Sequence, residues 1–181
     1  HRCLVEGNFF LESPGAGTNS GGVRIVGEDH VVINNYMEGL SGRGLQSSLT
    51  IMNGSLPEDY IAGGYQQVIN GVVAFNTLVH CRQSLNLGAR GADPRYPDPP
   101  TNVAIANNII LSPDHPAITQ EAPLANPTWE GNIFFGASPG IGLPAGVQWL
   151  DPQLQRAADG FMRPSGASPA LNAAAGSYPQ V

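Results

Sequence analysis

Arg24, Thr50 and Asn86 each sit in the middle of a short apolar stretch: Val23-Arg24-Ile25, Leu49-Thr50-Ile51 and Leu85-Asn86-Leu87. In an extended chain successive side chains alternate between faces, so Val23, Ile25, Leu49, Ile51, Leu85 and Leu87 are expected inside and the three polar residues outside. If such strands lie side by side in parallel, their outward residues form a row with a step of ~4.8 Å. A guanidinium, a hydroxyl and an amide in one row can hold an elongated polar ligand, the guanidinium answering a negative charge. All eight basic residues of the chain are arginine, and there is no lysine. Arg90 and Arg95 lie in a proline-rich stretch (residues 88–100), and Arg43 stands between two glycines. Either place could bring a further cation to an anionic ligand.

Other chemistries find no residue set. His30 precedes an apolar stretch and reads as a turn residue. His80 beside Cys81 has no third metal ligand at a suitable spacing. No Gly-rich phosphate loop and no serine-histidine-acid arrangement can be drawn from the spacing. Two cysteines, Cys3 and Cys81, make no disulfide framework, and both are expected as buried free thiols. The formal net charge of −6 argues against nonspecific nucleic-acid binding, which depends on neutralising phosphates. No apolar run approaches the ~18 residues that would span a membrane. Charged residues make up 12% of the chain, about half the ~25% of an ordinary soluble domain.

The elements that must position these residues repeat. An apolar residue, two variable residues, an asparagine and a further apolar pair recur at Val5-Glu6-Gly7-Asn8-Phe9-Phe10, Val32-Ile33-Asn34-Asn35-Tyr36-Met37, Val73-Ala74-Phe75-Asn76-Thr77-Leu78, Ile105-Ala106-Asn107-Asn108-Ile109-Ile110 and Trp129-Glu130-Gly131-Asn132-Ile133-Phe134. The asparagines are 27, 41, 32 and 24 residues apart, the scale of a stacked-repeat fold. Each asparagine is expected at a left-handed turn between two strands and could bond its counterparts along the stack. Two stretches exceed a single repeat. Residues 53–64, with Pro57 and Tyr60, and residues 88–100, with Tyr96, read as loops that overhang the face carrying Arg24. The chain therefore divides into β-solenoid coils over residues 1–150 and a segment over 151–181 expected to cap the last coil.

The series Arg2-Cys3-Leu4-Val5-Glu6-Gly7-Asn8-Phe9-Phe10, Gly21-Gly22-Val23-Arg24-Ile25-Val26-Gly27-Glu28-Asp29-His30, Val32-Ile33-Asn34-Asn35-Tyr36-Met37-Glu38-Gly39-Leu40, Leu49-Thr50-Ile51-Met52-Asn53-Gly54 and Phe75-Asn76-Thr77-Leu78-Val79 resembles polysaccharide lyase family 6, which includes alginate lyases and chondroitinase B. The resemblance covers most of residues 2–115. It implies an all-β, right-handed, single-stranded parallel β-helix that cleaves an acidic polysaccharide by β-elimination. In that reaction the C5 proton of a uronate is weakly acidic, so calcium or arginine must neutralise the adjacent carboxylate. A base then removes the proton while an acid assists departure of the 4-linked oxygen.

The resemblance implies a lysine base, an arginine acid, and calcium held by asparagine and glutamates. Those groups would match positions upstream of His1, so no catalytic residue and no metal ligand is assigned within the chain, and the chain alone is expected to be inactive. Arg24, one coil beyond the family's arginine-histidine-glycine triplet, is expected to bind the substrate carboxylate. Thr50, Asn86 and Arg90 complete the expected substrate-binding set, and Gln46 stands where some relatives carry a basic residue. Alginate is favoured over dermatan sulfate because few basic residues are available for sulfates. The expected partners are the acidic polysaccharide and either the N-terminal half of the enzyme or another chain covering the first coil, where Leu4 and Phe9 would otherwise be exposed. The family resemblance implies a secreted or periplasmic location. The alternative is a noncatalytic β-helix carbohydrate-binding module; an epimerase-like helix would need an acid–base set of its own.

Overall fold

Every repeat of the sequence becomes one turn of a β-helix. The computed structural model describes residues 1–12, 19–56 and 64–178. Three parallel sheets run along the stack. The first contains β1 (Leu4–Glu6), β4 (Val31–Ile33), β7 (Val72–Ala74), β10 (Ala104–Ala106) and β13 (Thr128–Glu130). The second contains β2 (Phe9–Leu11), β5 (Tyr36–Glu38), β8 (Thr77–Val79), β11 (Ile109–Ser112), β14 (Asn132–Gly136) and β15 (Val147–Trp149). The third contains β3 (Val23–Ile25), β6 (Leu49–Met52), β9 (Leu85–Ala89) and β12 (Ile118–Gln120). A separate antiparallel hairpin joins β16 (Leu154–Arg156) to β17 (Met162–Pro164). No helix among the described residues is long and apolar enough to cross a membrane.

The core runs down the middle of the stack. Ile25, Leu49, Ile51, Leu85 and Leu87 from the third sheet meet Val32, Val73 and Ile105 from the first and Met37, Leu78, Ile110 and Phe134 from the second. The period-two expectation for the inward residues holds for these positions, while Val23 is only half-buried at the open first coil. Each fully buried aliphatic side chain stabilises the fold by about 1.5–3 kcal/mol.

The motif asparagines are linked to one another, and all but Asn8, at the open first coil, are buried. Asn8 Nδ2 donates to Asn35 Oδ1 at 3.0 Å, Asn35 Nδ2 to Asn76 Oδ1 at 3.0 Å, Asn76 Nδ2 to Asn108 Oδ1 at 3.0 Å, and Asn108 Nδ2 to Asn132 Oδ1 at 3.1 Å. They are not the left-handed residues, however. Positive φ falls one position earlier, at Gly7, Asn34, Phe75, Asn107 and Gly131. The corner is turned there, which frees the following asparagine to point inward and satisfy backbone groups that the corner leaves unpaired. A second stack, which the motif did not reveal, lies at another corner. Asp29, Asn70, Asn102 and Asn126 all have positive φ, and their side chains bond in series at 3.1, 3.4 and 2.8 Å.

Residues 151–178 run back along the flank of the second sheet. Arg156 pairs with Glu38 in β5, and the Phe161 ring lies 4.5 Å from Phe9 in β2 and 5.2 Å from Tyr36. Further along, Tyr178 donates to Glu130 at 2.7 Å, and the Asn107 and Ala175 amides bond reciprocally. Ile141 and Trp149 pack with Trp129 against the core. Phe9 remains 56% exposed and Leu11 55%, so the first coil keeps an open apolar edge.

The clasp between Glu38, Tyr36 and Arg156 gives the segment a pH dependence. Burial raises the Glu38 carboxyl, but hydrogen bonds from Arg156 and Tyr36 outweigh it and hold the group below its ordinary value of 4.5. A carboxylate depressed on folding contributes stability that is complete above its unfolded value and lost as pH falls through the folded one. Residues 151–178 are therefore expected to become protease-sensitive as the pH drops below about 4.5. A Glu38→Gln variant should lose most of that acid transition. An unchanged acid profile in the variant would remove Glu38 from the clasp.

Candidate functional site

The third sheet brings the three expected residues into one register: Arg24 pairs with Thr50, Thr50 with Asn86, and Asn86 with Thr119. Only Arg24 is exposed. Thr50 and Asn86 are both 0% exposed, which corrects the expectation that they floor an open groove. The cause is a single 3-10 turn over Gly44–Gln46 that folds across the middle of the sheet. The Gly44 carbonyl accepts a hydrogen bond from Thr50 Oγ1 at 3.3 Å and from Asn86 Nδ2 at 3.1 Å. Asn86 Nδ2 also donates to Glu121 Oε1 at 3.0 Å. The two residues therefore pin a covering turn and present nothing to solvent. Arg43 and Gln46, on the same turn, are exposed.

Both long loops leave the C-terminal ends of strands in this sheet, as expected, and join. Gly54 and Asp98 form an antiparallel bridge with N···O distances of 2.8 and 3.1 Å. Asn53 Nδ2 donates to the Tyr96 carbonyl at 3.1 Å, and Ser55 N to the Tyr65 carbonyl at 2.7 Å. Pro57 and Tyr60 of the first loop lie outside the described residues. Gly88, at φ +61, starts the second loop where an added Cβ would stand 2.2 Å from the Ala122 carbonyl oxygen, so only glycine fits there. Arg90 follows in the left-handed region at φ 72, its N–H held by Glu121 Oε2 at 2.9 Å.

The joined loops carry an aromatic and cationic wall. The Tyr65 and Tyr96 rings stack with centroids 5.7 Å apart and planes at 29°. The Arg24 guanidinium lies 5.6 Å from the Tyr65 centroid, and those of Arg90 and Arg95 lie 6.0 and 5.8 Å from Tyr96. Arg95 is bound to Asp93, whose carboxyl is held down at about 2 by that guanidinium's hydrogen bonds. Among the described residues, neither Arg24 nor Arg90 forms an ion pair. The two tyrosines were visible in the sequence only as members of long loops, and their convergence with Arg24 follows from loop pairing that no periodicity encodes.

The remaining candidates stay apart. His80 is exposed, whereas Cys81 is buried against the Met37 and Val79 carbonyls, and burial pushes its thiol up. Cys3, expected to be buried, is exposed and free at the open first coil. His30 accepts from the Cys3 N–H at 3.0 Å and contacts the Val26 carbonyl at 2.8 Å, a turn-bracing role. No three His, Cys, Asp or Glu side chains among the described residues could hold a metal ion. The calcium implied by the resemblance therefore has no fitting ligand set there.

Comparison with known proteins gives the wall its context. The chain aligns with the solved PL6 family alginate lyase AlyGC at 29% identity and a TM-score of 0.76, covering 91% of this chain and 22% of that one. An arginine-to-alanine mutant of the same enzyme gives 29% identity and 0.78, with 98% and 26% covered. A mannuronic acid specific polysaccharide family 6 lyase from human gut microbiota, at 20% identity and a TM-score of 0.54 over 82% of this chain and 34% of that one, shares the fold. The chain thus spans about a quarter of the length of the AlyGC structures. No curated protein sequence matches significantly. The chondroitinase B family model matches residues 1–133, well over half of the chain, and with these β-helix neighbours it places the chain in the chondroitinase B family, polysaccharide lyase family 6.

Proposed function

We propose that this chain supplies groove residues of a lyase that cleaves an acidic polysaccharide, alginate being the favoured substrate, by β-elimination. The observation that carries the reading is Arg24: an exposed guanidinium that forms no ion pair among the described residues, held in register on the third sheet beside an overhanging wall. A uronate carboxylate is the ligand group that such a cation answers best in a family of polysaccharide lyases. Arg90 would add a second positive charge along the wall. Thr50 and Asn86 contribute indirectly, by holding the Gly44–Gln46 turn.

The reaction needs a base, an acid and a means of neutralising the carboxylate. The chain has no lysine, and its described residues hold no metal-ligand cluster. We assign the proton transfers and the family's calcium to coils beyond this chain's residues. The first-coil edge, with Phe9 and Leu11 exposed, is suited to pairing with such coils or with another copy. A secreted or periplasmic location belongs to the same proposal. The absence of lysine equally favours the second reading, a module that binds oligouronate without cutting it.

The test is to mix the chain with alginate and calcium and follow the absorbance of the unsaturated uronate product. The chain alone is expected to give none, and addition of the upstream half of the enzyme is expected to produce it. Binding without cleavage in the presence of that half would establish the module instead. Absence of both binding and cleavage would overturn the groove reading.

A further inference from the structure

The segment that runs back along the second sheet stands off it midway. It is fastened to the first two coils through Phe161 and to the fourth through the Asn107 and Ala175 amides. Between those attachments a cleft of about 280 Å³ opens, with Phe75, Thr77 and Ile109 on the side of the stack and Ala170 and Ala173 on the other. The small alanine side chains leave that room. Each coil passes through this corner from the first sheet to the second and reaches the third only afterwards, so the cleft lies on a different side of the stack from Arg24.

Phe75 is the unusual residue. Of the five corner positions with positive φ, four hold glycine or asparagine, the types that adopt it at least cost. The fifth holds Phe75, at φ 56. A bulky residue stays in that region only against a conformational penalty, and a ring left 37% exposed gains little burial to offset it. The ring meets no other aromatic ring and no guanidinium among the described residues. Beside it, Thr77 pairs in register with Tyr36 and Ile109, and because Leu78 enters the core, the Thr77 side chain faces the cleft. Neither the Thr77 hydroxyl nor the Asn34 side-chain carbonyl has a hydrogen-bond partner among the described residues. No charged residue lines the cleft, and the charge at its rim is Glu6, which accepts from Asn34 at 3.4 Å.

An uncharged hexopyranose has the complementary form. Its axial C–H groups make an apolar face for an aromatic ring, and the hydroxyls of its rim can bond a threonine hydroxyl and an amide oxygen. A uronate fits badly, because its carboxylate would meet Glu6 with no cation to answer it. We propose that this cleft is a second saccharide site, specific for a neutral hexose unit, with Phe75 as its stacking platform and Thr77 and Asn34 as its hydrogen-bonding groups. The site does not rest on the groove reading: Arg24 selects an acidic sugar on one side of the stack, and Phe75 holds an uncharged one on another.

The test titrates two uncharged tetrasaccharides, β-1,4-mannotetraose and cellotetraose, into the full chain by calorimetry; at least one should bind. Phe75→Asn puts at this corner the residue type that Asn34 and Asn107 supply in the neighbouring coils. It should therefore fold at least as stably as the unchanged protein, yet weaken binding by about 10-fold or more. Thr77→Val keeps the shape without the hydroxyl and should cost about 3- to 10-fold. Ala173→Leu fills the cleft from the opposite side and should block binding without altering the stack. Arg24→Ala should leave this binding unchanged, and an alginate tetrasaccharide should not compete for it. The proposal is overturned if neither neutral tetrasaccharide binds, if Phe75→Asn binds like the unchanged protein, or if the alginate tetrasaccharide competes on equal terms. None of these outcomes bears on the groove, which stands or falls with the effect of Arg24→Ala on alginate binding.

Discussion

Replacing Asn76 with alanine is expected to destabilise the fold by about 3–5 kcal/mol, the largest effect of any single polar substitution in the stack. Asn76 is 0% exposed and sits at the centre of the buried asparagine series. Its Oδ1 accepts from Asn35 N at 3.1 Å and Asn35 Nδ2 at 3.0 Å, and its Nδ2 donates to Asn108 Oδ1 at 3.0 Å and to the Val32 carbonyl at 2.9 Å. Alanine leaves the Asn35 backbone N–H with no acceptor in a space too enclosed for bulk water. The cost is mainly that of buried groups left unpaired rather than that of the bonds lost. Asn70→Ala is the control: the same amide on the solvent-facing stack should cost about 1 kcal/mol or less, since water replaces its partners. Urea denaturation of the two variants decides the matter. Equal, small losses would mean that the inner series decorates the stack without holding it together.

The contrast between the two stacks shows what the residues disclosed before any coordinates. The inner series was legible because each asparagine is flanked by apolar pairs at a recurring offset, and that pattern also located the coils. The outer series was not, because Asp29 differs in type from Asn70, Asn102 and Asn126, and the four are followed by His30, Gly71, Val103 and Pro127 without a shared flank. The left-handed position was misplaced by one residue for a related reason. Asparagine tolerates positive φ, but at Asn76 its burial and four bonds put the side chain to better use, and Phe75 takes the unusual backbone instead.

Alternation along the third sheet correctly aligned Arg24 with Thr50 and Asn86, and it correctly put Leu49 and Leu87 in the core. It could not show whether an outward face is open. That depended on the Gly44–Gln46 turn, whose docking is set by hydrogen bonds to Gly44 across distances of six and 42 residues. The fate of residues 151–178 was equally hidden, because the Phe161 contact with Phe9 and the Arg156 pair with Glu38 join opposite ends of the chain. Local pattern reports which face a side chain takes; what later covers that face is a property of tertiary contacts.

Arg24→Ala should weaken binding of an alginate oligosaccharide by about 10- to 100-fold, equivalent to about 1.5–3 kcal/mol for a charge-assisted hydrogen bond. Stability should change little, because Arg24 is exposed and makes no ion pair among the described residues. Arg24→Lys should recover part of the affinity: the charge survives, but the planar fork and the contact with Tyr65 do not. The unchanged protein should bind more weakly as salt rises, and Arg24→Ala should flatten that dependence. Thr50→Ala separates an open row from a covered one. Thr50 is enclosed beneath the Gly44 carbonyl, so its loss should lower stability modestly and leave affinity nearly intact. Should Thr50→Ala instead abolish binding without affecting stability, the ligand would have to lie across the middle of the sheet, with the Gly44–Gln46 turn displaced. Arg24 would then mark one end of a longer track rather than its anchor beside the tyrosine wall.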